Sequence, residues 1–443
     1  MDDRKRKKLL MLCYHYPPEV SGGVERSARF ARHLGDFGWE SVVLTTNRWG
    51  AEGGRGGEEV VRVGELFRRS RDRMEDRSDA RAPAQRVPAA HACAGLRGAF
   101  IRFVEKWILI PDKHVRWAAL AFAPALAMLR RGQADAIYTS SPPASAHVLA
   151  LALRKLTGKP WIMDLRDPWT LEPLNWYLRT PGVRLSIEKR IERDCFQHAD
   201  AIIANTEEAA ARYRDMYPAC APRIHAIPNG YDAEELDAAR SSIARDEILP
   251  GVGDGVFVMS HVGTFSRRTD EPSFPKGFFD AVASLERAGL VTKRNCRIIL
   301  AGSMHPEIAR AIEAYGLGEL ISMSGPIARE DALRIVLRSD LLLLYDSGPE
   351  AQYYIRGKLY EYIASGAYIL AIIPDGATRR LLDRSGRAAA IVSDDEREIR
   401  PVLAAAIVER GRPAPRTGFD AGRYEARALT AALAGILDQV RHG

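Results

Sequence analysis

Cysteine is scarce: five residues in 443 (Cys13, Cys93, Cys195, Cys220 and Cys296), odd in number, far apart and without a C-x-x-C pair. That spacing suggests neither a disulfide framework nor a zinc site, and all five read as reduced side chains. Long apolar runs are lacking too. None reaches the roughly 18 to 20 residues that cross a bilayer, and the longest candidate, Trp117 to Leu129, is broken by Pro124. The charged start, Met-Asp-Asp-Arg-Lys-Arg-Lys-Lys, leads into only five apolar residues, too few for a signal peptide, so the chain is expected to stay in the cytoplasm. Neither G-x-G-x-x-G nor G-x-x-x-x-G-K-[ST] occurs, which removes the fingerprints of dinucleotide and P-loop chemistry. There is no Asp-x-Asp pair, so no metal clamp for a diphosphate is expected; cationic side chains and helix ends would have to hold phosphates. Zinc-finger spacing, an RNP-like aromatic motif and a basic region with heptads are also missing, which argues against nucleic acid as a partner.

What is present is a well-mixed chain, 46% hydrophobic and 27% charged, too long for one ordinary core and suited to two domains of roughly 200 residues each. Its net charge of +7 favours anionic partners. Short Ile-, Val- and Leu-rich runs recur at Leu9 to Cys13, Ser41 to Thr45, Asp135 to Thr139, Pro160 to Leu165, Asp200 to Ala204 and His225 to Ile227, with helix-like stretches between. A second set follows at Val256 to Val262, Cys296 to Ala301, Leu320 to Ser324, Asp340 to Tyr345, Tyr368 to Ile373 and Ala388 to Val392. Each set reads as a parallel sheet covered by helices. The joint lies between about 230 and 255, where Pro228-Asn229-Gly230-Tyr231-Asp232 and a Gly-rich turn fall. A cleft between two Rossmann-like domains is the expected ligand site.

Several residues at strand-to-helix turns are candidates for chemistry. Gly22 and Gly23 follow the first strand and permit close backbone approach at a helix start that Ser21 is placed to cap. Asp164, Arg166 and Asp167 end the Trp161 to Leu165 strand and should point into the cleft, or else form an Asp-Arg brace for the Trp169 loop. His147 opens an apolar helical stretch and reads as a structural histidine. Cations follow the first strand of the second set in His261-Val262-Gly263-Thr264-Phe265-Ser266-Arg267-Arg268, and recur at Arg356-Gly357-Lys358. Lys358 and Glu361 fall three apart on one helix face, one suited to a phosphate and the other to hydroxyls, a surface ion pair being the alternative. Residues 66–116 form an irregular Arg-rich insertion whose later part, Phe100 to Ile110 beside Arg97, Arg102, Lys106 and Lys113, mixes apolar and cationic residues as interfacial helices do.

Pro228 to Asp232, Gly263-Thr264-Phe265 and Gly357-Lys358-Leu359-Tyr360-Glu361-Tyr362-Ile363-Ala364-Ser365-Gly366 resemble the signatures of the large group-1 (family four) retaining glycosyltransferases of GT-B fold. Thr139 to His147, Gly158 to Trp169 and Ala199 to Thr206 are similar to the subgroup that builds surface polysaccharides. These segments span most of the chain in family order. The resemblance implies an α/β protein in which two Rossmann-like domains face each other across a central cleft. The acceptor-binding domain would cover 1–235, the donor-binding domain 236–420, and a last helix, within 421–443, would return to the first domain. It implies that Gly22 and Gly23 lie against a nucleotide-sugar diphosphate, that Gly263, Thr264 and Leu359 belong to the same donor site, and that Arg268 and Lys358 neutralise the phosphates, with Lys276 the substitute for Arg268. Glu361 would grip the ribose. The family's other Glu, eight positions earlier, is Tyr353 here, with Glu350 as the nearby substitute. Arg166 stands where many relatives carry a catalytic-pocket His.

The expected activity is therefore retaining sugar transfer from a nucleoside-diphosphate sugar to a glycan or lipid-linked acceptor in surface-polysaccharide synthesis, needing no metal or other cofactor. Residues 97–116 are expected to touch the inner face of the plasma membrane. An epimerase of the same fold and a non-catalytic nucleotide-sugar-binding subunit are the alternatives.

Overall fold

The structure, a computed structural model, describes residues 7–19, 23–50, 57–65, 96–173, 178, 181–242, 253, 255–263, 275–346, 352–385, 388–409 and 419–442. The chain divides into two compact units, the first holding the described residues up to Gly230 together with Ala426 onward, the second those from Tyr231 to Glu425.

The first unit contains β1 (Lys7–Leu12), α1 (Glu25–His33), β2 (Trp39–Thr46), β3 (Glu59–Val63), α2 (Leu96–Trp107), α3 (Val115–Arg130), β4 (Ala136–Ser141), α4 (Ser145–Thr157), β5 (Trp161–Leu165), α5 (Val183–His198), β6 (Ala201–Ala204), α6 (Glu207–Met216) and β7 (Ile224–Ala226). Its strands form one parallel sheet in the order β3-β2-β1-β4-β5-β6-β7. Every residue of β4 and β5 is buried, which is why these strands read as continuous runs without a polar alternation. Each apolar run read from the sequence is a strand. β3 escaped that reading because it is a partly exposed edge strand in which Glu59 and Arg62 interrupt the valines. α3 continues through Pro124.

The second unit contains α7 (Ala233–Ser241), β8 (Phe257–Val262), α8 (Lys276–Arg287), β9 (Cys296–Ala301), α9 (Pro306–Ala314), β10 (Ile321–Gly325), α10 (Arg329–Arg338), β11 (Leu341–Tyr345), α11 (Gly357–Ser365), β12 (Tyr368–Ile372), α12 (Ala377–Ser385), β13 (Ala388–Val392) and α13 (Glu396–Val408). Its six parallel strands run in the order β10-β9-β8-β11-β12-β13. A last helix, α14 (Ala426–His442), belongs to the first unit, where Leu429, Leu433, Ile436 and Leu437 enter the core beside Ala28, Phe30 and Trp39. Asp438 fixes its end, accepting from Lys7 and, at 3.0 Å, from Trp39 Nε1.

Both sheets begin on an inner strand, build outward to one side, then resume on the other. The strand order therefore reverses between β1 and β4 and between β8 and β11, and in open α/β sheets ligands gather beyond the carboxyl ends at that point. Among the described residues no helix is long and apolar enough to cross a membrane. Cys13, Cys195, Cys220 and Cys296 are buried and unpaired, and burial pushes the Cys13 and Cys296 thiols up to about 12. Cys93 lies outside the described residues.

Candidate functional site

At the reversal in the first unit, β5 carries Asp164 into the interior, where it is wholly buried. Its carboxylate accepts a two-pronged pair from Arg26 on α1, Nε at 2.7 Å and Nη2 at 2.8 Å, and a further bond from the Tyr138 hydroxyl. Arg26 spends its remaining donors on the chain leaving β7: Nη1 reaches the Pro228 carbonyl at 2.8 Å and Nη2 the Ile227 carbonyl at 2.9 Å, while Arg29 reaches Gly230 at 2.6 Å. Burial opposes the charge on Arg26, but the carboxylate more than compensates and its pKa is raised. Burial, with Asp164 alongside, likewise holds the Tyr138 phenol well above its ordinary value. Of the two readings the sequence left open for Asp164, the buried brace is the one the structure shows. It is half of a brace, and the partner is Arg26, not Arg166; part of the Pro228 to Asp232 signature exists to be held by it.

Arg166 lies just past the strand end, largely buried, its carbonyl accepting from the Asn205 amide and its Nη2 standing 3.3 Å from Asp167. The guanidinium lies on Gly23, where a Cβ would come within 2.5 Å of Nη1. Residues 143 positions apart are thus brought together at the turn into α1, a cation against a glycine. Gly22 lies outside the described residues, as does Ser21. α1 starts at Glu25 with Val24 in the cap position and no side-chain cap, so Ser21 does not occupy it. His147 is fully buried, bonded through Nδ1 to Thr139 at 2.8 Å, and burial lowers its pKa to about 3. The end of β1 also gathers rings that the sequence reading missed: Tyr14 packs 4.1 Å from His114 and 5.6 Å from Trp49, while His15 pairs with Glu19 at 2.8 Å and His114 lies 3.3 Å from Asp112.

In the second unit α11 is docked onto the end of β8. The Tyr362 hydroxyl accepts from Val262 N at 3.0 Å, and Lys358 Nζ lies 3.1 Å from His261 Nε2 and 3.4 Å from the Val262 carbonyl. Gly263 takes a φ of +108°, open to glycine, and its carbonyl would lie 2.5 Å from a Cβ on Gly302, itself at φ +121°. The backbones of β8 and β9 touch there with no room for a side chain. Glu361, one turn from Lys358, is nearly buried and receives both ends of the Arg329 guanidinium, at 2.5 and 3.1 Å. Arg329 also reaches Glu235 on α7 at 3.3 Å. A two-pronged arginine fixes the orientation of the Glu361 carboxylate.

Other predicted residues fall elsewhere. The Leu359 side chain is wholly buried in the core of its unit and its N–H donates to the Arg356 carbonyl. Arg356 is engaged with Asp346 at 2.6 and 2.8 Å. Lys276 opens α8, its side chain exposed and paired with Asp280 at 2.5 Å, and the amino end of that helix is filled by Asp394, which accepts from Phe278 N at 3.1 Å. Tyr353 is half-buried. Thr264, Arg268 and Glu350 lie outside the described residues. Arg329 and Gly302 were not read from the sequence; His261 stood there only as the head of the cation-bearing segment that runs to Arg268.

Residues 21–235 match the model of the family described as Glycosyltransferase Family 4. The whole chain is similar in structure to HepE from Anabaena in complex with UDP and glucose, at 15% identity and a TM-score of 0.60, covering 98% of this chain and 100% of that one. It is similar to WaaG, a glycosyltransferase involved in lipopolysaccharide biosynthesis, at 16% identity and 0.61, covering 97% and 99%. It is also similar to the UDP-GlcNAc 2-epimerase from Neisseria meningitidis bound to UDP-GlcNAc, at 12% identity and 0.58, covering 98% and 100%. At such identities these likenesses establish the fold. No curated protein matches the chain.

Proposed function

The amino-terminal half of this chain belongs to Glycosyltransferase Family 4 and the whole has the GT-B fold; from that premise we propose that it moves a sugar from a nucleoside-diphosphate sugar to a glycan or lipid-linked acceptor, with retention of configuration. The observation that carries this reading is on α11. Lys358 and Glu361 stand one turn apart at the strand-order reversal of the second sheet, a cation suited to phosphate oxygens and a carboxylate suited to ribose hydroxyls. UDP in the HepE complex makes uridine the first base to try.

In this reading the leaving diphosphate takes the proton of the incoming hydroxyl, and no protein nucleophile is needed. The side chains stabilise negative charge on the departing phosphates, a task for Lys358, and no metal is required. In the first unit Arg166 lies on Gly23 at the carboxyl edge of its sheet. Asp167, next to Arg166, belongs to the same edge. The partly exposed rings of His15, Trp49 and His114 offer stacking surface to an acceptor sugar. Membrane contact, at the inner face of the plasma membrane, is assigned to α2 and the residues after it, where Phe100, Phe103, Trp107 and Ile108 are exposed beside Lys106 and Lys113. Sedimentation with anionic liposomes should retain the protein and should release Phe100→Ser/Phe103→Ser; failure of the wild type to sediment would remove that part of the reading.

The activity itself is tested by incubating the protein with nucleoside-diphosphate sugars, with and without glycan and lipid-linked acceptors, and following nucleoside diphosphate release and the product's anomeric configuration by NMR. Acceptor-dependent release with retention is expected. Sugar interconversion without any acceptor would favour the epimerase reading, and donor binding without turnover a binding subunit.

A further inference from the structure

We propose that His261 is a positioning residue whose buried imidazole seats the Lys358 ammonium for the donor diphosphate, an inference that rests on the donor-site reading above. β8 and β11 flank the strand-order reversal, and their register holds at Met259 with Leu341 and at Ser260 with Leu342. One residue further the His261 side chain takes over: its Nδ1 lies 3.0 Å from the Leu343 carbonyl. A carbonyl oxygen only accepts, so Nδ1 carries the hydrogen. That assignment leaves a lone pair on Nε2, and an ammonium only donates, so the 3.1 Å contact is a bond from Lys358 to His261. The Val262 carbonyl, 3.4 Å away, is a second acceptor.

The seat is rigid because its parts are. His261 is wholly buried within β8, and α11 is fixed to the same strand through Tyr362 and Val262 N. Lysine is a flexible side chain whose ordering carries an entropic cost. Holding its ammonium on His261 and the Val262 carbonyl before the nucleotide arrives removes much of that cost from binding. The side chain lies beside Gly263, with Nζ 3.8 Å from where a Cβ would stand. The same atom of His261 is thus expected to matter to the phosphate end of the ligand and not to its base or ribose.

The test separates the two atoms of the ring. His261→Asn places an amide where Nδ1 stood, keeping the bond to Leu343 but losing Lys358; His261→Gln reaches the Nε2 position and offers an oxygen to Lys358. Calorimetry is run with the nucleoside diphosphate that binds the wild type best among UDP, GDP, ADP and TDP, and with the matching nucleoside. Diphosphate affinity should fall about tenfold or more in His261→Asn, as expected for loss of an oriented charge-assisted bond. It should stay within about threefold in His261→Gln, and nucleoside affinity should be unchanged in both. Adding His261→Asn to Lys358→Ala should cost nothing beyond Lys358→Ala alone, because His261 acts through that lysine. Wild-type diphosphate affinity in His261→Asn, equal loss of nucleoside, or losses that add in the double variant would each overturn the proposal while leaving the donor site intact. No binding of any diphosphate by the wild type would overturn the donor site itself.

Discussion

The two strand-order reversals share one topology and use charge in opposite ways. In the first unit the charged pair at the reversal, Arg26 and Asp164, is sealed inside, matched two bonds to two and tied to three backbone carbonyls along with Arg29. In the second unit the charged side chains at the reversal sit on the helix docked there, each held by a side chain of another element: Lys358 by His261, Glu361 by Arg329. A carboxylate at a strand end is therefore not a site by position alone. Burial and the number of bonds already spent decide whether it holds the fold or meets a ligand.

The largest effect that separates these roles is expected from Asp164→Asn, which leaves Arg26 buried without its counter-charge and should cost about 3 to 5 kcal/mol in urea denaturation. Lys358→Ala should change stability by less than about 1 kcal/mol while weakening nucleotide binding. If Asp164→Asn left stability intact and removed activity, the brace would be the site after all. The glycines sharpen the same contrast. Gly302→Ala meets the Gly263 backbone at a φ of +121° and should cost more than about 2 kcal/mol. A denaturation midpoint equal to wild type would contradict that packing.

His147 gives the first unit a pH dependence. Its pKa is lowered by burial to about 3 in the fold, against about 6.5 when unfolded, so its contribution is present above 6.5 and is lost as pH falls toward 3. Between pH 7 and pH 5 that amounts to roughly 2 kcal/mol, read as the drop in unfolding free energy that His147→Gln should diminish. The smallest effect is reserved for Gly23→Ala. The atom it meets is the far end of the flexible Arg166 side chain, so stability should change by less than about 1 kcal/mol even as turnover falls. A large stability loss would make Gly23 a packing glycine and nothing more.

The fold was legible because a parallel sheet covered on both faces favours strands that are largely apolar, and β11, apolar and buried from Leu341 to Tyr345, carries that demand openly. β3 was not, since a half-exposed edge strand makes no such demand. Motif spacing drew attention to Asp164, Arg166, Lys358 and Glu361. What each does depends on partners 138, 143, 97 and 32 residues away, Arg26, Gly23, His261 and Arg329, and no local pattern reports those distances in sequence. Leu359 shows the reverse: the motif around it concerns a ligand, but its own position in the helix turns it into the core.

The most direct test of the account is calorimetric titration of wild type, Lys358→Ala and Glu361→Ala with UDP, GDP, ADP and TDP and their sugar derivatives. Selective binding of one nucleotide series by the wild type, weakened about tenfold or more in both variants with their melting temperatures preserved, is the predicted result. Binding unaffected by either substitution, or no binding by the wild type, would contradict a nucleotide-sugar site on α11.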